Sequence, residues 1–108
     1  MSVVVRRGLL LRAGVYPSKM YVPQSTLQHI VDTFTGPMDL EVEFAPLPGL
    51  GQLTSLEVRG DELYGEFLIN ESFVETHAPL AVSLDRHTSK LVAVTVTKSP
   101  TVEGARLL

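Results

Sequence analysis

The sequence contains no cysteine and no tryptophan, and it has only three tyrosines and four phenylalanines. Without cysteine, neither a disulfide bond nor a thiolate metal site can form. This absence leaves the redox compartment open, because a cysteine-free chain is compatible with any of them. The small number of aromatic side chains disfavours stacking on nucleic-acid bases or on sugar rings.

Positive charge is also scarce. Nine Lys and Arg residues stand against twelve Asp and Glu residues, which gives a formal net charge of −3. Only Arg6 and Arg7 are adjacent basic residues. Because phosphate binding needs a concentrated basic surface, we expect no nucleic-acid partner. No apolar run approaches the roughly 20 residues of a membrane-spanning helix, so we expect no membrane partner.

The composition that remains is typical of a small globular protein. Hydrophobic residues make up 44% of the 108 positions and charged residues 19%, which argues against a disordered chain. A chain of this length can bury one modest core without covalent staples. We therefore expect a single domain over residues 1–108.

The clearest structural pattern lies between Gly49 and Asn70. Apolar and polar residues alternate on both sides of the segment Arg59–Glu62, and Ser55 is out of phase in the first half. Period-two alternation around a Gly-Asp pair predicts a β-hairpin. One face of its second strand, which includes Phe67 and Ile69, is predicted to belong to the core.

One helix is predicted, from Pro23 to Phe34. Proline suits the first turn of a helix, and the Gly36–Pro37 pair is typical of the residues that follow the last turn. The helix has one narrow apolar stripe, which favours packing on a sheet. The stripe consists of Leu27, Ile30, Val31 and Phe34.

The other segments predict strands. The opening, MSVVVRRGLLLRAG, superficially resembles a signal sequence, but its charges lie inside the apolar stretch. We therefore interpret residues 1–12 as a strand or arm. Because its residues alternate poorly, this strand is expected to be either bulged at Gly8 or buried on both faces. Residues 45–51 contain two prolines and two glycines and are predicted to be irregular, and residues 101–108 are predicted to be a tail. Further strands are predicted at 40–44, 80–85 and 91–97.

These elements together predict the fold class. About six strands with mostly short connections and one helix favour an α+β, mainly β, fold. We expect a small, partly closed antiparallel β-barrel with the helix packed across one opening.

Residues that could hold a metal or a cofactor are few. The histidines His29, His77 and His87 have neither the spacing of a helical metal motif nor carboxylates at ligand spacing. The glycines of Gly49-Leu50-Gly51 lead into a strand rather than a helix, so they do not form a phosphate-binding loop. We expect no metal and no cofactor.

Ser83 is the residue to test as a nucleophile. Ser83 and His87 would lie about 13 Å apart on one extended strand, whereas a base must come within roughly 3 Å of its nucleophile. They could meet only if the chain turns sharply at Asp85–Arg86. His29 or His77 could instead approach from elsewhere in the fold, and the alternative interpretation of Ser83 is an ordinary small strand residue.

The order of the motifs carries a family resemblance. The segments VPQSTLQHIVDTFTG, DLEVEFA, GQLTSLEVRGDELYGEFLIN, PLAVSLDR and KLVAVTVTKSPTVEGARLL follow one another between roughly Tyr16 and Ala105. This arrangement resembles the prohead (capsid maturation) proteases of tailed bacteriophages, a group that includes the Mu-type protease–scaffold proteins and shares a fold with the herpesvirus assemblins. In that family a helix precedes the strand of the catalytic histidine, and the nucleophilic serine follows the hairpin.

The resemblance implies a nucleophile without its histidine. Ser83 in AVSLDR matches the family's serine, while the family's histidine would fall at or next to Phe44 in EVEFAPL, where no histidine stands. A serine without a general base loses most of its activation. The family's long C-terminal scaffolding segment is also expected to be absent. The fold is therefore expected to be protease-like, with the catalytic site not assembled.

We accordingly expect a non-enzymatic head decoration or cement protein, located in the phage virion and made in the host cytoplasm. Its implied partner is the major capsid protein, and it is expected to form a homo-oligomer, a trimer or a dimer. The alternatives are an active prohead serine protease, with Ser83 served by His77 or His87, and a transient capsid-assembly factor. The candidate partner-binding residues, which could add a strand to a capsid subunit, are Val3, Val4, Val5, Arg6, Arg7 and Leu9.

Overall fold

The structure, a computed structural model, describes residues 3–16, 21–47, 49–72, 74, 77–100, 102 and 104–108. Met1, Ser2, Thr101 and Glu103, which fall in the predicted arm and tail, lie outside the described residues. The elements in chain order are β1 (Val3–Arg12), β2 (Gly14–Val15), β3 (Tyr21–Val22), α1 (Gln24–Thr33), β4 (Met38–Val42), β5 (Ala45–Pro46), β6 (Gly51–Arg59), β7 (Glu62–Asn70), β8 (Leu80–Leu84), β9 (Leu91–Val96) and β10 (Arg106–Leu107).

One eight-stranded sheet curls into a barrel. Its strand order is β10-β1-β7-β6-β4-β9-β8, with β5 attached to β4. Neighbouring strands are antiparallel except for β4 and β9, which are parallel. A bridge between Pro79 and Arg106 connects the start of β8 to β10, so the two ends of the strand order meet. The predicted mainly-β fold, a partly closed barrel with one helix, is confirmed.

The predicted hairpin is present as β6 and β7. A shift in pairing between Leu53 and Ser55 marks a bulge, and the extra residue explains why Ser55 is out of phase with its neighbours. Phe67 and Ile69 are buried, as the alternation predicts. Gly65 leaves room for this packing, because a Cβ atom there would lie 2.6 Å from Leu53 Cδ1.

The first strand is an integral part of the barrel. β1 pairs with β7 along its whole length, from Val3 opposite Asn70 to Arg12 opposite Glu62. The structure therefore places residues 3–12 in the sheet as a strand and not as a free arm. Of the two predicted alternatives, burial on both faces is confirmed, because the consecutive residues 8–11 are all buried. The pairing shifts between Leu9 and Leu11 and not at Gly8, where β1, β8 and β10 approach each other.

The helix α1 begins and ends within one residue of the predicted bounds. Pro23 occupies the N-cap position and Phe34 the C-cap position. Leu27 and Ile30, two residues of the predicted stripe, are fully buried, and α1 packs against β6. The amphipathic pattern thus identified the face that the helix buries.

The strand predicted at 40–44 ends earlier than expected. β4 stops at Val42, and Glu43 and Phe44 form a two-residue turn that brings Ala45 opposite Val42. Phe44 is therefore a turn residue. The segment predicted to be irregular contains β5 and the first residue of β6, because the tight turn folds Ala45 back onto β4.

The segment predicted to be a tail instead closes the barrel. β10 lies between β1 and the start of β8, and its residue Leu107 and the preceding residues Val102 and Ala105 are buried. Main-chain groups on both sides hold it. Leu107 N donates to Ala78 O (3.0 Å), Leu80 N donates to Ala105 O (3.0 Å), and Leu108 N donates to Arg7 O (2.8 Å).

Candidate functional site

Ser83 lies in β8, where it is partly exposed and stands opposite Ala93 of β9. The pairing shifts between Ser83 and Leu84, next to the turn that leads into β9. The serine is thus accessible from solvent, as a nucleophile would have to be. Its position alone also fits an ordinary strand residue.

The sharp turn needed to bring His87 towards Ser83 is present. Asp85 N donates to Lys90 O (2.8 Å), and the carboxylate Oδ1 of Asp85 accepts hydrogen bonds from the main-chain N–H groups of Thr88 and His87 (2.8 Å each). These two hydrogen bonds, that of Thr88 first, lower the pKa of the Asp85 carboxyl. The turn is therefore organised around Asp85 rather than around the serine.

None of the described histidines is hydrogen-bonded to Ser83 in the part of the chain that the structure describes. His29 Nε2 lies 2.7 Å from Thr88 O, and His77 Nδ1 lies 3.3 Å from Leu107 O. Because a carbonyl oxygen only accepts, the ring nitrogen must carry the proton in each contact. His29 thus connects the helix to the β8–β9 turn, and His77 contacts the closing strand.

The position that the resemblance assigns to the histidine lies in the turn that follows β4, and β9 separates β4 from the Ser83 strand in the sheet order. Val42 stands opposite Val96 in β9, and Ser83 stands opposite Ala93. Three residues along β9 and two strand spacings across the sheet separate Val42 from Ser83, which is about 14 Å between Cα atoms. Phe44 N donates to Thr95 Oγ1 (2.9 Å), and Thr95 lies two residues from Ala93, so the turn at Phe44 contacts β9, the strand that pairs with β8.

The turn at Glu43 and Phe44 is the most unusual backbone feature of the described chain. Both residues have positive φ angles, 48° and 62°. This is the geometry of a type I′ turn, which favours Asn and Gly, and a non-glycine residue in the left-handed region costs about 1–3 kcal/mol. Four hydrogen bonds to β9 and the residues after it hold the turn: Glu43 N to Val96 O, Phe44 N to Thr95 Oγ1, Thr97 Oγ1 to Glu43 Oε2 and Lys98 N to Glu43 Oε1.

An apolar cleft of about 330 Å³ lies beside this turn. The sequence pattern did not indicate it, because its walls come from four separate segments of the chain. Glu43 and Lys98 stand at its rim. Its apolar walls include Val42, Leu50, Ala78, Pro79 and Val96.

Two of the predicted partner-binding residues are exposed apolar side chains. Val3 and Val5 project from the outer face of β1, and Leu68 of β7, directly opposite Val5, is exposed beside them. Val4 points the other way and packs against the core. The valine patch, Val3, Val5 and Leu68, is therefore a solvent-facing apolar surface.

The other predicted partner-binding residues are engaged within the chain. Arg6 donates to Leu108 O at 3.0 Å through Nε and at 2.6 Å through Nη2. Arg7 forms a 2.9 Å salt bridge with Glu57. The prediction that Leu9 binds a partner is wrong, because Leu9 is 5% exposed and lies beneath the barrel surface.

The described residues contain no group of three or more His, Asp or Glu side chains that could hold a metal ion. No helix in the described ranges is long and apolar enough to cross a bilayer. Comparisons of the chain with protein-family models, with curated proteins and with solved structures found no match.

Proposed function

We propose that this protein is a non-catalytic structural protein of a tailed-bacteriophage head, a decoration or cement protein built on a prohead-protease-like fold. The observation that carries the proposal is the environment of Ser83, which has no hydrogen bond to a histidine among the described residues. The partner is the major capsid protein, and the site of action is the virion.

The geometry around Ser83 argues against an activated nucleophile. A serine hydroxyl attacks a peptide carbonyl only when a base within hydrogen-bond distance removes its proton. His29 and His77 each use one ring nitrogen to bind a main-chain carbonyl oxygen elsewhere. The residue at the family's histidine position is Phe44, whose side chain cannot act as a base.

The surface of β1 supports binding through an added strand. Leu108 N donates to Arg7 O, so the main-chain groups of Arg7 point towards β10. Because the main-chain N–H and C=O groups of successive residues point to opposite sides of a strand, those of Val5 and Val3 point to the same edge of the sheet as those of Arg7. Within β1, β10 pairs only with Gly8 and Leu9, which leaves this edge open at Val3 and Val5 among the described residues.

An extended segment of a capsid subunit fits such an edge. Its main chain would extend the sheet, and alternate apolar side chains would lie on the valine patch. The patch and the edge are adjacent, so one strand could use both. The proposed capsid contact is therefore the open edge of β1, and Ser83 has no part in it.

An active serine protease is the second candidate, because the chain reverses directly after the Ser83 strand in a turn that contains His87. In that case His87 would have to approach the serine when substrate binds. A transient assembly factor is the third possibility, and it differs from the first only in whether the protein stays in the mature particle.

The decisive experiment uses purified virions and purified capsid shells. The 11.8 kDa chain is expected as an abundant band in virions, at a copy number near that of the capsid protein. Val5→Asp is expected to abolish binding to shells, whereas Val92→Asp, an exposed valine on β9, serves as the matched control. Ser83→Ala is expected to leave binding intact.

Two results would contradict the proposal. Cleavage of the capsid precursor by the purified protein, lost in Ser83→Ala, would favour the protease. Binding to immature shells with no band in mature virions would favour the transient factor.

A further inference from the structure

The turn at Glu43 and Phe44 presents an aromatic side chain to solvent in a fixed position. Phe44 is 53% exposed, and Leu47, three residues later, is also exposed. Asn or Gly would suit this left-handed turn better than Glu and Phe. The sequence therefore keeps a large apolar residue where neither the local backbone nor the core requires one.

The apolar cleft beside the turn is large enough to receive such a side chain. Its volume is about 330 Å³, and its walls are aliphatic. Val42 and Glu43 help to line it, whereas Phe44, the next residue, is absent from the described lining. An anchor and a receptor of matching chemistry thus lie side by side on one face, but the anchor does not fill its own receptor.

The charges at the rim of the cleft are complementary to each other. The Glu43 carboxylate accepts hydrogen bonds from Thr97 and from the main-chain N–H of Lys98. The Lys98 ammonium takes part in none of the ion pairs formed by the described residues. A two-fold axis through this face would place Glu43 of one copy opposite Lys98 of the other, and the same contact would occur twice.

We infer that this face binds a second copy of the chain, with Phe44 of each protomer inserted into the other's cleft and Glu43 of each facing Lys98 of the other. A second copy fits better than an unrelated partner because one surface carries the anchor, the cleft and both charges. The inference goes beyond the proposed function, since it concerns the purified protein alone. The surface involved is small, so the dimer is expected to be weak and concentration-dependent.

Sedimentation equilibrium over a wide range of protein concentration tests the dimer. The wild-type chain is expected to fit a monomer–dimer equilibrium. Phe44→Asn removes the anchor while suiting the left-handed backbone, and it is expected to raise the dissociation constant at least about 30-fold, the loss typical of a hot-spot residue. Val92→Asn changes a side chain of similar exposure, 56%, on another strand and is expected to leave the constant unchanged.

Two further measurements locate the interface and test the charges. Methyl NMR signals of Val42 and Leu50 are expected to shift with concentration in the wild-type chain but not in Phe44→Asn. Lys98→Glu places two carboxylates together at the interface and is expected to weaken the dimer. Thermal unfolding of dilute Phe44→Asn is expected at or above the wild-type temperature, which separates loss of association from loss of fold.

The inference fails if the wild-type chain stays monomeric up to about 1 mM, a concentration at which even weak interfaces associate. It also fails if Phe44→Asn dimerises as tightly as the wild-type chain. Loss of capsid-shell binding in Phe44→Asn, with the wild-type chain monomeric in solution, would assign the anchor to a capsid subunit instead of a second copy.

Discussion

Leu107→Ala tests whether the last strand closes the barrel. Leu107 is 0% exposed, in a strand held between β1 and the start of β8. The substitution removes three buried carbon atoms, worth about 2.4 kcal/mol at roughly 0.8 kcal/mol per buried methylene. The cavity left behind raises the loss towards 3–4 kcal/mol. A loss of this size is a large part of the 5–15 kcal/mol typical of a small domain.

Urea unfolding measures this loss directly. Because the chain has no tryptophan, circular dichroism or tyrosine fluorescence is the appropriate probe. The midpoint is expected to fall while the m-value stays the same. Leu108→Ala, at the neighbouring 48% exposed residue, is the matched control and is expected to cost less than about 0.5 kcal/mol. A loss below about 1 kcal/mol for Leu107→Ala, or equal losses for the two variants, would refute the closed barrel.

Two further predictions concern the hairpin and its surface charges. Phe67→Ala is expected to lower the free energy of unfolding in urea by about 3–5 kcal/mol, because Phe67 is fully buried. Leu68→Ala, on the outer face of the same strand, is expected to lower it by less than about 1 kcal/mol, and similar losses for the two variants would contradict the assignment of the two faces. Hydrogen bonds from Arg7, and to a lesser extent from Arg59, lower the pKa of Glu57 in the folded protein below its ordinary value of 4.5. The ionised Glu57 therefore stabilises the fold fully above pH 4.5, and this stabilisation is lost as the pH falls through the lower pKa of the folded state. NMR titration of the Glu57 carboxyl measures its pKa in the folded protein, and a value at or above 4.5 would contradict the assignment. Glu57→Gln is expected to make the free energy of unfolding depend less on pH in the acid range.

The hairpin and the helix could be predicted because their signals are local. Apolar and polar residues alternate on both sides of Gly60-Asp61, and this pattern predicted two strands and a tight turn. The bulge was visible too, because Ser55 interrupts the alternation at the place where the pairing shifts. The stripe containing Leu27 and Ile30 specified a helix and its buried face. Each of these patterns lies within one short segment.

The turn at Glu43 and Phe44 could not be predicted, because its residues lack the Asn or Gly signal of such turns. The hydrogen bond from Phe44 N to Thr95 Oγ1 joins residues 51 positions apart. Tertiary contacts therefore impose a conformation that local preference disfavours. The apolar cleft escaped prediction for the same reason, since it exists only once distant segments have assembled.

Only part of the backbone around Ser83 could be predicted. The pattern correctly placed Ser83 in a strand, but the predicted strand ran to Asp85, whereas β8 ends at Leu84 and Asp85 begins the turn. Whether a histidine contacts the serine depends on side chains from other elements, which neither spacing nor periodicity reports. Burial of both faces near Leu9 was one of the two predicted alternatives for this strand, and the convergence of three strands at Gly8 is its physical cause.

The closing strand also has a consequence for how the protein folds. The contact between Arg6 and Leu108 joins residues 102 positions apart, and the β1–β10 pairing spans almost the same separation. Such contacts carry a high loop-closure entropy, so they slow the search for the native topology. The β6–β7 hairpin has no such cost and can form early. The pairing of β10 with β1, which closes the barrel, is therefore expected to form last, after the folding transition state. Substitutions that weaken β10 are then expected to increase the unfolding rate far more than they decrease the folding rate.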